Sequence, residues 1–97
     1  MPKVETAFTT RLQIKLKHVL LEGLKFAGIR ATIETERVPH TKMVRAMVVA
    51  KKFENLRPSE RQDLVWRILS QEFKPEEQIP LSVWTLTPDE VNGKWRD

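Results

Sequence analysis

The sequence predicts a small α+β domain, a two-layer sandwich in which helices cover one face of a three-stranded mixed sheet. Three observations carry this reading. The stretch from Met43 to Lys51 is the most apolar in the chain, is short for a helix, and has apolar side chains on both faces, as a central strand would. A capped amphipathic helix follows it, from about Pro58 to Phe73. A further apolar strand, Ile79 to Leu86, comes next. Strand, helix and strand in that order make a right-handed crossover with the two strands parallel.

The elements follow in order. Residues 1–9 are polar and are expected to be disordered, with an ordered core from about 10 to 92. A first helix is predicted from about Thr10 to Phe26, because Leu12, Leu16, Val19, Leu20, Gly23 and Leu24 recur at helical spacing. Ile14 and Leu21 fall outside that stripe. Gly28 is placed as a left-handed cap. Ile29 to about Glu36 alternates, with Ile29, Ala31 and Ile33 on one side, and reads as a half-buried strand. Val38-Pro39-His40-Thr41 is too short a connection for anything but an antiparallel return into the central strand. In the second helix Ser59 and Gln62 match a capping box, and Arg61, Leu64, Val65, Ile68 and Leu69 form the core stripe, widened by Trp66 and Phe73. Lys74 to Gln78 reads as a polar connection. Pro80 cannot donate to a ladder, so the third strand is expected at a sheet edge. Thr87-Pro-Asp-Glu90 is a second capping signature and opens a short terminal turn before Gly93. The second sheet face is left open, carrying Arg30, Met43, Arg45, Met47 and Trp84.

Ninety-seven residues suit a single domain, 1–97, with one modest core. There are 17 basic and 13 acidic side chains, and the net charge of +4 favours anionic partners such as nucleic acid. The chain has no cysteine, hence no disulfide, catalytic thiol or thiolate metal ligand. The longest apolar run, Ala46 to Ala50, is far short of a membrane span or signal core. A cytoplasmic protein without a membrane partner is expected.

Catalysis has little to stand on. His18 and His40 are the two histidines, there is no tyrosine, and metal-protease spacings, phosphate-binding glycine loops and serine elbows are absent. The reading is a non-enzymatic binding module, with no small-molecule substrate indicated. Lys51, Lys52, Arg57 and Arg61 cluster where the central strand meets the second helix and are the candidates for phosphate contacts. Arg61 has a second reading, with its stem along the core and its head in water. His40, in a loop, is the weak candidate metal ligand, against the alternative of a solvated loop histidine.

Val48-Val-Ala-Lys-Lys-Phe-Glu-Asn55 and Arg61-Gln-Asp-Leu-Val-Trp66 resemble the BolA family, which closes its second strand with Val-Val-Ser-Asp-x-Phe-Glu-Gly and follows with a helix containing Arg-His-Arg-x-Val-Tyr. Phe53 and Glu54 match, Asn55 replaces Gly, Arg61 matches the first Arg, and Leu64-Val65-Trp66 matches the end. Ser82 to Glu90 is similar to the family's Ser-Leu-Lys-Thr-Tyr-Thr-Pro-Glu-Glu ending, so the likeness spans about Leu12 to Glu90. The resemblance implies an αββααβ fold like class II KH domains and roles in transcriptional regulation and stress response. It also implies an alternative role as an iron–sulfur trafficking or redox adaptor pairing with a monothiol glutaredoxin. There a [2Fe–2S] cluster shared with the partner is ligated by histidines at positions that here are Ile79 and Met43. With those histidines not kept and only His40 nearby, no cofactor is expected.

Overall fold

The apolar stripe of the first helix and the alternating strands meet in one core layer. The computed structural model describes the backbone of residues 2–94 and the side chains of residues 10–91. Its elements are α1 (Pro2–Phe26), β1 (Thr32–Arg37), β2 (Val44–Val49), a 3-10 turn (Lys51–Asn55), α2 (Pro58–Glu72), α3 (Pro75–Gln78), β3 (Leu81–Leu86) and α4 (Pro88–Lys94). The sheet order is β1-β2-β3. β1 runs antiparallel to β2, with Ile33 opposite Val48, and β3 runs parallel to it, with Val83 opposite Ala46. The two-faced strand is therefore central and the Pro80-led strand is an edge, as the sequence predicts.

Side-chain parity decides which sheet face is covered. Val44, Ala46 and Val48 point into the core with Ile33, Leu81 and Val83, and α1 supplies Leu12, Leu16, Val19, Leu20 and Leu24. From α2 come Val65, Ile68 and Leu69, joined by Phe73 just beyond its end. Leu21, outside the predicted stripe, is partly buried against this core, whereas Ile14 is exposed.

Several boundaries differ from the sequence reading. Helix α1 begins at Pro2, not near Thr10. Proline is at home in the first turn of a helix, and no glycine or second proline interrupts the run before Gly23. The expected disorder of residues 1–9 thus gives way to helical backbone from Pro2, and Met1 lies outside the described residues. Helix α2 is capped at Arg57 rather than Ser59. Pro58 occupies its first position, and the Arg57 N–H donates to Glu60 Oε1 at 2.8 Å. Gln62 is thereby released from the capping role. It donates instead to the edge strand at Val83 O (3.1 Å) and Thr85 Oγ1 (3.2 Å), and accepts from Trp66 Nε1 (3.0 Å). The polar connection Lys74–Gln78 contains the helical turn α3, started the same way by the Lys74 N–H on Glu77 Oε1 at 2.7 Å. Ile79 follows that turn with helical φ and ψ, so β3 starts only at Leu81.

At the C-terminus the Thr87–Glu90 capping box is complete. Thr87 N–H donates to Glu90 Oε1 (2.8 Å) and Glu90 N–H to Thr87 Oγ1 (3.2 Å). The helix it starts runs through Gly93 to Lys94 rather than stopping short of the glycine. Its Val91 borders a hollow on the second sheet face with Thr32, Glu34, Glu36, Met47 and Val49. On that face Arg45 spans the sheet: its Nη1 pairs with Glu36 Oε1 at 2.8 Å, and its guanidinium lies 4.6 Å from the centre of the Trp84 ring. Arg30 and Met43 precede their strands rather than belonging to them.

Candidate nucleic-acid interface

Opposite Thr32 in the ladder stands Val49, so the start of β1 and the end of β2 share one end of the sheet. Two tight turns meet there. The first closes α1. Gly28 has φ +79°, its N–H donates to Lys25 O (3.0 Å), and the Ile29 N–H donates to Leu24 O (2.8 Å). This is the paired bonding of a Schellman motif, with the left-handed residue in its usual place. The second is the 3-10 turn, pinned by Phe53, whose ring is 0% exposed.

Lys52 joins the two turns. Its ammonium donates to Gly28 O at 2.6 Å while the side chain stays exposed. Lys51 and Lys52, from the end of β2, are thereby gathered with Lys25 and Arg30, which flank the α1 turn; all four are exposed. Glu22 lines the same hollow as Lys25 and Arg30 and is its opposing charge. Arg57 is exposed at the start of α2, beyond the 3-10 turn. The sequence places Lys25 on the solvated face of the first helix, outside the phosphate candidates, and Arg30 on the open sheet face. Their signal was local, because both lie within three residues of a predicted turn glycine.

Arg61 is placed differently from the other three candidates, with its stem in the core as its second reading has it. It is 6% exposed, and its Nε donates to Phe53 O (2.9 Å) and Leu56 O (3.1 Å) while Nη1 pairs with Glu90 Oε1 at 2.8 Å. With Nε and Nη1 engaged by inner carbonyls and a carboxylate, and the side chain only 7% exposed, this guanidinium is poorly placed to present a fork to phosphate. Its position on the core stripe, which the sequence showed, is what buries it. Arg61 ties the 3-10 turn, α2 and α4 together, and so holds in place the turn that carries Lys51 and Lys52. Glu90 is held below the ordinary carboxylate range, first by the Thr87 N–H, with Arg61 acting in the same direction and partial desolvation against them.

The other end of the sheet carries the positions singled out by resemblance. Val44 N–H donates to Pro80 O at 2.9 Å, so β2 and β3 start together at this end, with Met43 one residue before β2 and Ile79 two residues before β3. Met43 is 38% and Ile79 77% exposed. His40 is exposed in the β1–β2 turn, after Pro39 and with φ +64°; the Thr41 N–H closes that turn on Val38 O at 3.2 Å. Proline followed by a positive φ is the pattern of a type II turn. A thioether and a hydrocarbon do not make the donor set a [2Fe–2S] cluster needs, so these residues do not fit that group.

Among the described residues no cluster of three or more His, Cys, Asp or Glu side chains could hold a metal ion, and no helix is long and apolar enough to cross a membrane. Neither a protein-family model nor a curated protein sequence matches this chain.

Proposed function

We propose that this chain is a non-enzymatic, cytoplasmic, BolA-like regulatory module that binds nucleic acid through the basic end formed by Lys25, Arg30, Lys51 and Lys52, with Arg57 beside it. The observation that carries the reading is the bond from Lys52 to Gly28 O, which brings cations from two separate segments onto one surface. Such a patch neutralises phosphates by charge and releases counterions from the nucleic acid. Replacing Lys51 and Lys52 together with alanine should weaken binding to all sequences alike. The salt dependence should flatten by about one unit of slope for each phosphate that the variant no longer neutralises. Both are read by fluorescence anisotropy across a salt series. A wild-type protein that binds neither DNA nor RNA at low salt would overturn the reading.

A second reading, a protein adaptor for a monothiol glutaredoxin, is favoured by one feature: the exposed apolar pair Met43 and Ile79 at the opposite end. Apolar docking weakens little with salt, which separates it from phosphate binding. Isoleucine has no lone pair and a thioether is a soft, neutral ligand, so the chain should contribute nothing to the partner's cluster. Mixed with cluster-loaded glutaredoxin, it is expected to leave the visible spectrum that of the glutaredoxin homodimer. A new histidine-type spectrum that disappears in His40→Ala would show the loop histidine acting as a ligand and would put the adaptor role first.

A further inference from the structure

We infer that the basic end takes single-stranded nucleic acid, with Phe26 as the surface on which a base stacks; this rests on the nucleic-acid reading above and specifies its ligand. Phe26 is 97% exposed. Helical spacing does not predict this, because Phe26 follows Val19 by seven residues and lies in nearly the same row of the helix, and Val19 is buried. The chain leaves the helix at Gly28 immediately afterwards, and nothing among the described residues covers the ring.

A lone exposed ring is ordinary by itself. What distinguishes Phe26 is its company. Lys25 precedes it, and Gly28, with the Lys52 ammonium on its carbonyl, and Arg30 follow within four residues; Lys25 and Arg30 line the hollow on the other side of Glu22, so the ring stands at the border of the basic end. The ring also stands at one end of a groove between α1 and α2, lined by Lys15, His18 and Arg67 against Glu22 and Glu72. The end of a helix ordinarily repels phosphate, because its last carbonyls carry negative partial charge. Here Leu24 O and Lys25 O are occupied by the cap, and the Lys52 ammonium on Gly28 O adds a positive charge just beyond the helix end.

An apolar ring at the border of a basic surface matches a ligand with flat apolar faces on a polyanionic backbone. Single strands offer that combination, and stacking tolerates any sequence because every base has a π-face. A duplex keeps its base faces within its own stack and presents mainly phosphates to this end. The single strand is therefore the form that engages both the ring and the ammonium groups.

The test is fluorescence anisotropy at low salt with a short labelled mixed-sequence single strand and with the same strand annealed to its complement. Wild-type protein should prefer the single strand. Phe26→Ala should weaken single-strand binding about tenfold, the size of one base stack. It should leave the salt slope, the duplex affinity and the melting temperature unchanged, and Phe26→Trp should retain the affinity. The Lys51→Ala, Lys52→Ala pair should do the opposite, flattening the salt slope for both ligands. Unchanged single-strand affinity in Phe26→Ala, or equal losses on strand and duplex, would overturn the stacking inference while leaving the basic end as a phosphate site. Absence of any binding by wild-type protein would overturn both.

Discussion

Arg61→Ala is expected to destabilise the fold by about 2 kcal/mol, mainly through the lost packing of its stem and the inner carbonyl left without a donor, since Glu90 is about a third exposed and can take water in place of the guanidinium. In a domain of this size that lowers the melting temperature by about 10 °C. Phe53 O keeps a second donor, the Leu56 N–H at 3.1 Å, but Leu56 O and Glu90 lose the guanidinium that bridges them. Arg61→Lys should recover only part of the loss, since a single ammonium cannot serve two carbonyls and a carboxylate in divergent directions. Lys52→Ala, which removes one exposed hydrogen bond, should cost about 0.5 kcal/mol at most. Thermal melts of the three variants beside wild type make the comparison. A loss below about 1 kcal/mol for Arg61→Ala would mean that the three elements hold together without it. The same pair predicts a pH response. Glu90 has a lower pKa folded than unfolded, so its contribution is fully present above the unfolded value and is lost as pH falls through the folded one. The stability gap between wild type and Glu90→Gln should therefore narrow as the solution is acidified below the usual glutamate range.

Arg61 also shows how far the sequence can be read. Its place on the apolar stripe with Val65, Ile68 and Leu69 was visible, and so was its charge; the charge suggested a ligand contact, while the position determined burial. Which of the two wins depends on partners from other elements. The carbonyls of the 3-10 turn and Glu90, 29 positions later, are not local in sequence. Where a single periodicity decides the outcome, the reading was sufficient: the α1 stripe, the strand parities, the central place of β2, the edge place of β3 and the left-handed Gly28 are all present in the structure. The caps were legible too, but in another form. Arg57-Pro-Ser-Glu60, Lys74-Pro-Glu-Glu77 and Thr87-Pro-Asp-Glu90 share one pattern, in which a glutamate reaches back over a proline to the N–H before it. Reading that pattern three times would have moved the cap of α2 from Ser59 to Arg57 and revealed α3. The basic end was half legible, because Lys51 and Lys52 are adjacent in sequence, whereas their neighbours Lys25 and Arg30 arrive through a tertiary contact at Gly28.

Gly23 is the position where sequence propensity and structure predict opposite signs. By propensity alone, Gly23→Ala in mid-helix should stabilise by about 1 kcal/mol. In the structure a β-carbon at Gly23 would overlap Ile68 Cγ2 and crowd Cγ1 and Cδ1 at 3.1 and 3.2 Å. Ile68 cannot easily give way. It is β-branched and stiff at χ1, Cγ2 sits one bond from its own Cβ, and the side chain is 9% exposed against α1. Relief requires the two helices to separate, which loosens Leu20, Leu24 and Leu69 in the same layer. Overpacking of this kind costs about 1–3 kcal/mol, so the expected net result for Gly23→Ala is a loss of about 1 kcal/mol, with Gly23→Val larger. The pairing can be isolated by a double-mutant cycle. Ile68→Ala alone should cost about 3 kcal/mol through the cavity it leaves. In its presence Gly23→Ala should turn from destabilising to stabilising, giving a favourable coupling of about 2 kcal/mol between residues in contact. Chemical denaturation of the four proteins measures it. Additive effects, or a Gly23→Ala single variant more stable than wild type, would show that α1 and α2 do not meet at this glycine.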